Sequence, residues 1–402
     1  MYCMTDNPLK KSERINELDI FRGFAILGIF MVNILVMNVC FAYRAEWEAE
    51  QTGWLQAISF FILENVFYSK FFTIFSFLFG IGVALQIKQS KAKGNYSNLF
   101  FLRRFGSLFF FGVLHIVLLW AGDILHIYGM LGVLLLFLFR LPAKLLLGLA
   151  IMIFIFPFFN AFFEQIMEWL SFDYSAPLAE LSRAEILVLK HHGSYYSGIV
   201  LRLKEYAFAS GLIYSAITPI ALSMMLLGGY IVKTGWLENL YERILRIKPY
   251  LLISLGVFLI YRFTVYYWVL PTFNIPHGSP ISITLITLFQ ISDVLISFSL
   301  LWFLGYLWNK GIGRWLISKL QFVGRMALSN YILQSILGYL VMRTFNGYEY
   351  FSAFGCIILV LSIYSFQIII SQLWLTKFQF GPLEWAWRCI SYVKILPIRK
   401  SM

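Results

Sequence analysis

Ten apolar runs, each near the length of a membrane-spanning helix, recur along this chain: 20–42, 69–87, 99–120, 124–140, 143–162, 207–232, 250–270, 281–308, 326–343 and 351–376. About 20 mostly apolar residues let an α-helix cross the hydrocarbon core of a bilayer, where a helix satisfies its own backbone hydrogen bonds. Composition agrees: 60% of the 402 residues are hydrophobic and 13% charged, against roughly 45–50% and about 25% in soluble domains. The expected fold class is all-α, a polytopic integral membrane helix bundle of about ten transmembrane helices, forming one domain over residues 1–402. A further apolar stretch, 54–67, reads as an interfacial helix or as an extension of the second span. Only Ala121-Gly122-Asp123 separates the third and fourth spans, which makes them an antiparallel hairpin.

The net charge of +12 is spread as a topology signal and not as a nucleic-acid stripe. Basic residues recur in alternate loops: Arg22 with Lys10, Lys11 and Arg14; Lys88 to Arg104; Arg140 and Lys144; Lys233 to Lys248; Lys310 to Arg325; and Lys377 to Lys400. The excess of Lys and Arg on one side places both termini in the cytoplasm and the chain in the cell membrane, with the lipid bilayer as its first partner. The polar first 16 residues, with no small-residue cleavage site after the first apolar run, read as the absence of a signal peptide. One large outer loop, about 163–206, carries several carboxylates and the pair His191-His192, and is expected to hold short surface helices. Cys40 and Cys356 fall near outer helix ends and could pair; the simpler reading is four free thiols, counting Cys3 and Cys389. No Walker loop, dinucleotide fingerprint, HExxH or CxxC occurs, and no metal is expected. Gly80, Gly82 and Gly228-Gly229 read as helix-packing glycines.

Polar groups within spans are costly and so are candidates for function. Asp19 and Arg22 lie on one face at the cytoplasmic end of the first span, and Asn33 lies three turns and about 16 Å deeper on the same face. The stripe reads either as a binding track or as an interfacial ion pair with an Asn that glues helices. His115 stands two turns before Asp123 on one face of the third span, so that the carboxylate could orient the imidazole as a base. The bland alternative is a wet vestibule. His126, three residues past Asp123, is a further candidate, and all five histidines, His277 included, fall in the outer half or outside. Arg262 and Asp293, at similar depths on adjacent spans, read as a structural ion pair. Arg103, Arg104, Arg325 and Arg388 sit at inner helix ends, where topology alone explains them, although as a cluster they could bind the phosphates of a cytoplasmic cofactor.

The chain resembles a bacterial membrane family of unknown function, the YeiB-like proteins, over nearly its whole length. The resemblance rests on Leu18-Asp19-x-x-Arg22-Gly23-x-Ala25 with Asn33; Phe75 to Gly82; Arg103-Arg104 with His115; Gly122 to Leu125 with Tyr128; Gly324 to Tyr331 with Gln334-Ser335; and Gly381 to Glu384 with Trp385, Trp387 and Arg388. That family is similar in turn to the transmembrane acyl transferases, which include heparan-α-glucosaminide N-acetyltransferase. The likeness implies acyl-CoA (acetyl-CoA) entering from the cytoplasm beside Arg22, and Asn33 positioning thioester or acceptor. One departure matters: where the N-acetyltransferase has its catalytic histidine, eleven residues after the Asn, this chain has Arg44. His115 oriented by Asp123 is the expected substitute. The first functional expectation is therefore an acyltransferase with a small-molecule, glycan or lipid acceptor at the outer face. A transporter or flippase, with the same polar groups lining a path, is the second, and a receptor-like scaffold the third. A homodimer stays open.

Overall fold

A computed structural model describes residues 16–156, 158–273, 275–276 and 279–400; Cys3, Lys10, Lys11, Arg14 and His277 lie outside them. Among the described residues the chain is 83% helical with no strands; Phe378 and Arg399 form an isolated antiparallel bridge. The principal helices are α1 (Asn16–Asn38), α2 (Trp54–Ala92), α3 (Asn98–Leu118), α4 (Leu125–Leu138), α5 (Ala143–Ile155), α6 (Phe159–Trp169), α7 (Arg183–His192), α8 (Tyr195–Lys233), α9 (Leu240–Thr264), α10 (Pro280–Lys310), α11 (Arg314–Arg325), α12 (Ala327–Thr344), α13 (Ala353–Lys377) and α14 (Pro382–Tyr392).

All ten expected spans are helical, but among the described residues only seven helices are long and apolar enough to cross a bilayer alone. They are α1, α2, α3, α8, the stretch Leu245–Thr272 that begins within α9 and runs past its end, α10 and α13. The other three segments differ for separate reasons. With 14 residues, α4 is about 21 Å long, short of the ~30 Å hydrocarbon core. The 143–162 run is bent by 73° between α5 and α6, which as one broken span would make an eighth. The third, α12, carries Asn330, Gln334 and Arg343 among its 18 residues. Residues 54–67 continue into the second span as one bent helix.

Three π-turns interrupt the long helices, at Leu63–Phe67 in α2, Ile213–Ile217 in α8 and Val265–Val269 after α9. Such turns open the backbone ladder and recur at functional sites. The first is followed by Ser69 in a left-handed conformation (φ 66°).

Glycines let the helices approach backbone to backbone. A Cβ on Gly23 would collide with the Leu320 carbonyl, and one on Gly324 with the Asp19 carbonyl, so α1 and α11 cross in direct contact. Gly80 meets the Met225 backbone, and Gly228 the Phe77 carbonyl, closing α2 on α8. Gly129 meets the Phe109 backbone in the α3–α4 hairpin. The packing role expected for Gly80 and Gly228-Gly229 is therefore met, whereas Gly82 borders the Arg22 guanidinium.

The outer loop holds the expected short helices, Ala176–Ala179 and α7, the latter with a Ser182/Glu185 capping box. Arg183 fastens it by pairing with Glu46, Glu50 and Glu349 at 2.9, 2.6 and 2.8 Å. Cys40, Cys356 and Cys389 are free thiols, and the first two pack in separate apolar clusters.

Candidate functional site

The α1 stripe organises two cavities. Asp19, Arg22, Ile26 and Ile29 line a basic chamber of ≈ 210 Å³, while Ile29, Val32, Asn33 and Val36 line a larger one of ≈ 240 Å³. Spacings of three and four residues keep these side chains on one face, as the sequence indicates. The chambers share Ile29, Ile124 and Tyr331 as common wall.

Arg22, Arg104, Arg325 and Arg388 all border the basic chamber, with Asp19 and Glu384. Four guanidiniums against two carboxylates leave a cationic excess. Arg22 reaches Asp19 at 3.2 Å. Arg104 stacks over the Trp387 ring at 3.7 Å, and the Trp387 indole N–H donates to the Arg104 carbonyl at 2.6 Å. Arg103 points elsewhere. Its Nε donates to the Ser391 carbonyl at 3.1 Å, so it docks α14 on α3 and does not line the chamber. The Glu384 carboxylate accepts from the Leu328 and Ser329 backbone N–H groups at 2.7 and 3.1 Å and from the Ser329 hydroxyl at 2.5 Å. It thereby caps the start of α12, where backbone donors lack helical partners. This joins the Gly324–Tyr331 and Gly381–Arg388 segments, and Phe75, Leu78, Phe79 and Gly82 supply the facing wall from α2.

At the other end, His115 and Asp123 meet as expected, within a larger network. His115 Nδ1 lies 2.8 Å from one Asp123 oxygen and its Nε2 2.8 Å from the Ser335 hydroxyl. The second Asp123 oxygen accepts from the His126 backbone N–H at 2.9 Å and lies 2.9 Å from His126 Nδ1. His126 Nε2 is 2.9 Å from the Tyr206 hydroxyl, which is 2.7 Å from that of Tyr214. One proton assignment satisfies every pair. Both imidazoles carry Nδ1–H toward Asp123, and Ser335 and Tyr206 donate to the two Nε2 lone pairs. The buried carboxylate then accepts three N–H bonds. Gly112 makes the space, since a Cβ there would strike Asp123 and the His126 backbone. Asp123 lines the larger chamber. The His115 ring stands behind its wall, with ring centroids 5.3 Å from Tyr331 and 6.4 Å from Trp120, both of which line that chamber.

Asn33 faces the larger chamber, across from the interrupted stretch of α2 (Phe67, Tyr68, Ser69) and the π-turn of α8 (Ile213, Ala216, Ile217). The expected Arg262–Asp293 pair forms at 2.5 Å, but sequence reasoning missed its third member, Lys70. The Lys70 side chain is fully buried, 2.7 Å from the same Asp293 oxygen, and it donates to the Glu64 carbonyl freed at the α2 break, also at 2.7 Å. The signal was a lysine at the edge of an apolar run, which reads as an interfacial anchor until the break folds it inward. The missed Ser335 and Tyr206 looked like ordinary helix residues. Of the neighbouring polar residues, Asn330 and Gln334 serve packing: Asn330 donates to Ser371 at 2.9 Å and Gln334 to Gln367 at 3.0 Å. Arg44, in the place of the N-acetyltransferase histidine, pairs with Glu48 at 2.5 Å and takes no part in either chamber. His191 and His192 belong to the outer loop, with His191 against Tyr348. Among the described residues no group of three or more His, Cys, Asp or Glu is placed to hold a metal ion.

The fold and this site define a polytopic helical membrane protein with two abutting chambers, one edged by arginines and the other mainly apolar. Residues 231–394 match the family described as a protein of unknown function (DUF418). Along nearly its full length the chain is similar to uncharacterised bacterial proteins. It is 27% identical to YxaH of Bacillus subtilis, covering 98% of each chain. It is 28% identical to a 39.9 kDa protein of the amylase 3′ region of Bacillus acidopullulyticus, also over 98% of each. With YeiB of Escherichia coli it shares 26%, over 94% of this chain and 96% of that one. The chain is thus similar to the YeiB-like membrane proteins of unknown function. No solved structure matches it.

Proposed function

We propose that this chain is a membrane-embedded acyltransferase of the cell membrane, moving an acyl group from cytoplasmic acyl-CoA to an acceptor at or beyond the outer face. The observation that carries this reading is the abutment of the two chambers at Tyr331, one ringed by four arginines and the other walled by the His115–Asp123 network. Guanidiniums suit the phosphates of CoA because their planar forks bond phosphate oxygens in pairs. The resemblance to the transmembrane acyl transferases supports the same assignment.

The thioester would reach past Tyr331 toward Asn33, whose amide could donate to its carbonyl oxygen. An acceptor hydroxyl or amine attacks the thioester carbon while its proton passes to His115 Nε2, either in place of the Ser335 hydroxyl or through it. The carbon–sulfur bond breaks, and the sulfur leaves as CoA thiol after taking that proton back. Asp123 stays ionised and holds the imidazole in the required tautomer.

Calorimetry of acetyl-CoA binding to the protein in nanodiscs tests the reading. Saturable binding, weakened in Arg22→Ala, is expected. Well-folded protein that binds neither acetyl-CoA nor longer acyl-CoAs would overturn it. Transport is then the reading to pursue, for which the favouring observation is the run of chambers from Arg22 to Asn33 through the bundle.

A further inference from the structure

A third cavity, of ≈ 40 Å³, lies at the end of the bundle away from the arginine chamber, where α7, the start of α8 and the end of α12 converge. Its charged lining is Lys190, Arg202, Glu205 and Arg343, three cations and one carboxylate. Lys190 and Glu205 pair at 2.9 Å. Burial acts to lower the Lys190 pKa, but Glu205 together with Cys40 and Tyr348 more than offsets it, so the ammonium stays charged. Arg343 directs Nη1 and Nη2 to the carbonyls of Lys190 and Gly193 at the end of α7. One N–H of each is used there, and the residue lines the cavity.

Arg202 differs. The residue is 6% exposed, its guanidinium lies 5.2 Å from the Tyr195 ring centroid, its Nε donates to the Val117 carbonyl at 3.0 Å, and its Nη2 is buried with no hydrogen-bond acceptor. A buried charged donor without a partner is expensive, and the exceptions to satisfaction call for an explanation. Gly198 keeps the flank of the guanidinium open, since a Cβ there would sit 3.3 Å from Nη1. An orphaned guanidinium donor, a cavity beside it and a surplus of positive charge all ask for the same complement, an anion.

We propose that this cavity is an anion subsite that takes a single phosphate or carboxylate group on Arg202, beside Lys190. Trp120 lines both this cavity and the larger chamber. A molecule anchored here by its charged group can therefore present its remainder to the larger chamber across one side chain. The source of the anion is either a soluble substrate or the headgroup of an anionic lipid. The subsite does not depend on acyl transfer, because a transported molecule would need the same anchor.

The test is thermal unfolding of the full chain in phosphatidylcholine nanodiscs, with inorganic phosphate or acetate against chloride at matched ionic strength. It is repeated without these anions in discs containing phosphatidylglycerol. Because the arginine chamber also attracts phosphate, the decisive quantity is the response that the R202Q variant loses. A saturable rise in melting temperature in wild type, with apparent affinity weakened about tenfold or more in R202Q, is expected for a soluble anion. A rise only in phosphatidylglycerol discs, again lost in R202Q, assigns the site to a lipid headgroup. Wild type that responds to none of these overturns the proposal, as does an R202Q response equal to wild type. Should R202Q fail to fold, G198L fills the space beside the guanidinium without removing charge. It must show the same loss, and undiminished binding in G198L overturns the proposal as well.

Discussion

Asp123 shows how one side chain can bind two histidines into a working unit. Its carboxylate is buried and accepts from His115, from the His126 ring and from the His126 backbone. Hydrogen bonds to a charged group contribute about 1.5–3 kcal/mol each, which offsets the cost of burying the charge. In Asp123→Asn the new amide turns a donor toward one of those N–H groups, forcing a ring to change tautomer. On the proposed function, acetyl-CoA binding should persist while acyl transfer falls about 100- to 10,000-fold, read by comparing calorimetry with a product assay. Asp293 holds the opposite kind of unit, one carboxylate between Lys70 and Arg262. Asp293→Ala strands the buried Lys70 and the half-buried Arg262 and should cost about 3 kcal/mol. Lys70→Met leaves the Arg262–Asp293 pair standing and should cost clearly less. Thermal unfolding in detergent ranks the two, and equal losses would show that Lys70 contributes as much as the whole cluster.

Between elements, contact is decided where side chains are missing. At the α1–α11 crossing Gly23 and Gly324 each face the other helix's backbone. Gly23→Val must push the helices apart, so a loss of about 1–3 kcal/mol is expected, together, on the proposed function, with weaker acetyl-CoA binding because Arg22 is the preceding residue. Gly106 is the opposite case, since a Cβ there would meet nothing within 4 Å. Gly106→Ala should therefore stabilise α3 by up to about 1 kcal/mol through helix propensity alone. The outer loop depends on charge. Its hydrogen bonds from Arg183 hold the Glu50 carboxyl below the usual carboxylate range. Glu50 binds its proton less readily folded than unfolded, so its contribution is complete above the ordinary value near 4.5 and disappears as pH falls through the lower folded value. Hydrogen exchange over α7 should accelerate in that acidic window and not near neutrality, and Glu50→Gln should remove its share of the pH dependence.

For the whole molecule, the consequential arrangement is two chambers set end to end against one helix. Ile29 stands at their junction. On the proposed function, Ile29→Trp should close it, leaving acetyl-CoA bound at the arginine end but abolishing transfer; transfer at the wild-type rate would show that the chambers do not work in series. Much of this is present in local pattern. Hydrophobic runs specify membrane helices because the bilayer sets their length, and the spacing Asp19, Arg22, Ile26, Ile29, Asn33 specifies one face because the helix repeats every 3.6 residues. The His115–Asp123 pairing does not come from that periodicity, because α3 ends at Leu118 and it is the turn back into α4 that brings Asp123 onto His115. What no local pattern contains is which faces meet. Lys70 became a core residue only because α2 breaks and turns its ammonium toward Asp293. Ser335 and Tyr206 joined the histidines only because α12 and α8 pack on either side of the α3–α4 hairpin. Arg103 and Arg104, adjacent in sequence, parted because a helix turns about 100° per residue, so that α14 meets Arg103 at Ser391 and Arg104 at Trp387. Periodicity is a property of the backbone and can be read along the chain. The pairing of distant side chains depends on close packing among all the helices at once, and only the tertiary structure decides it.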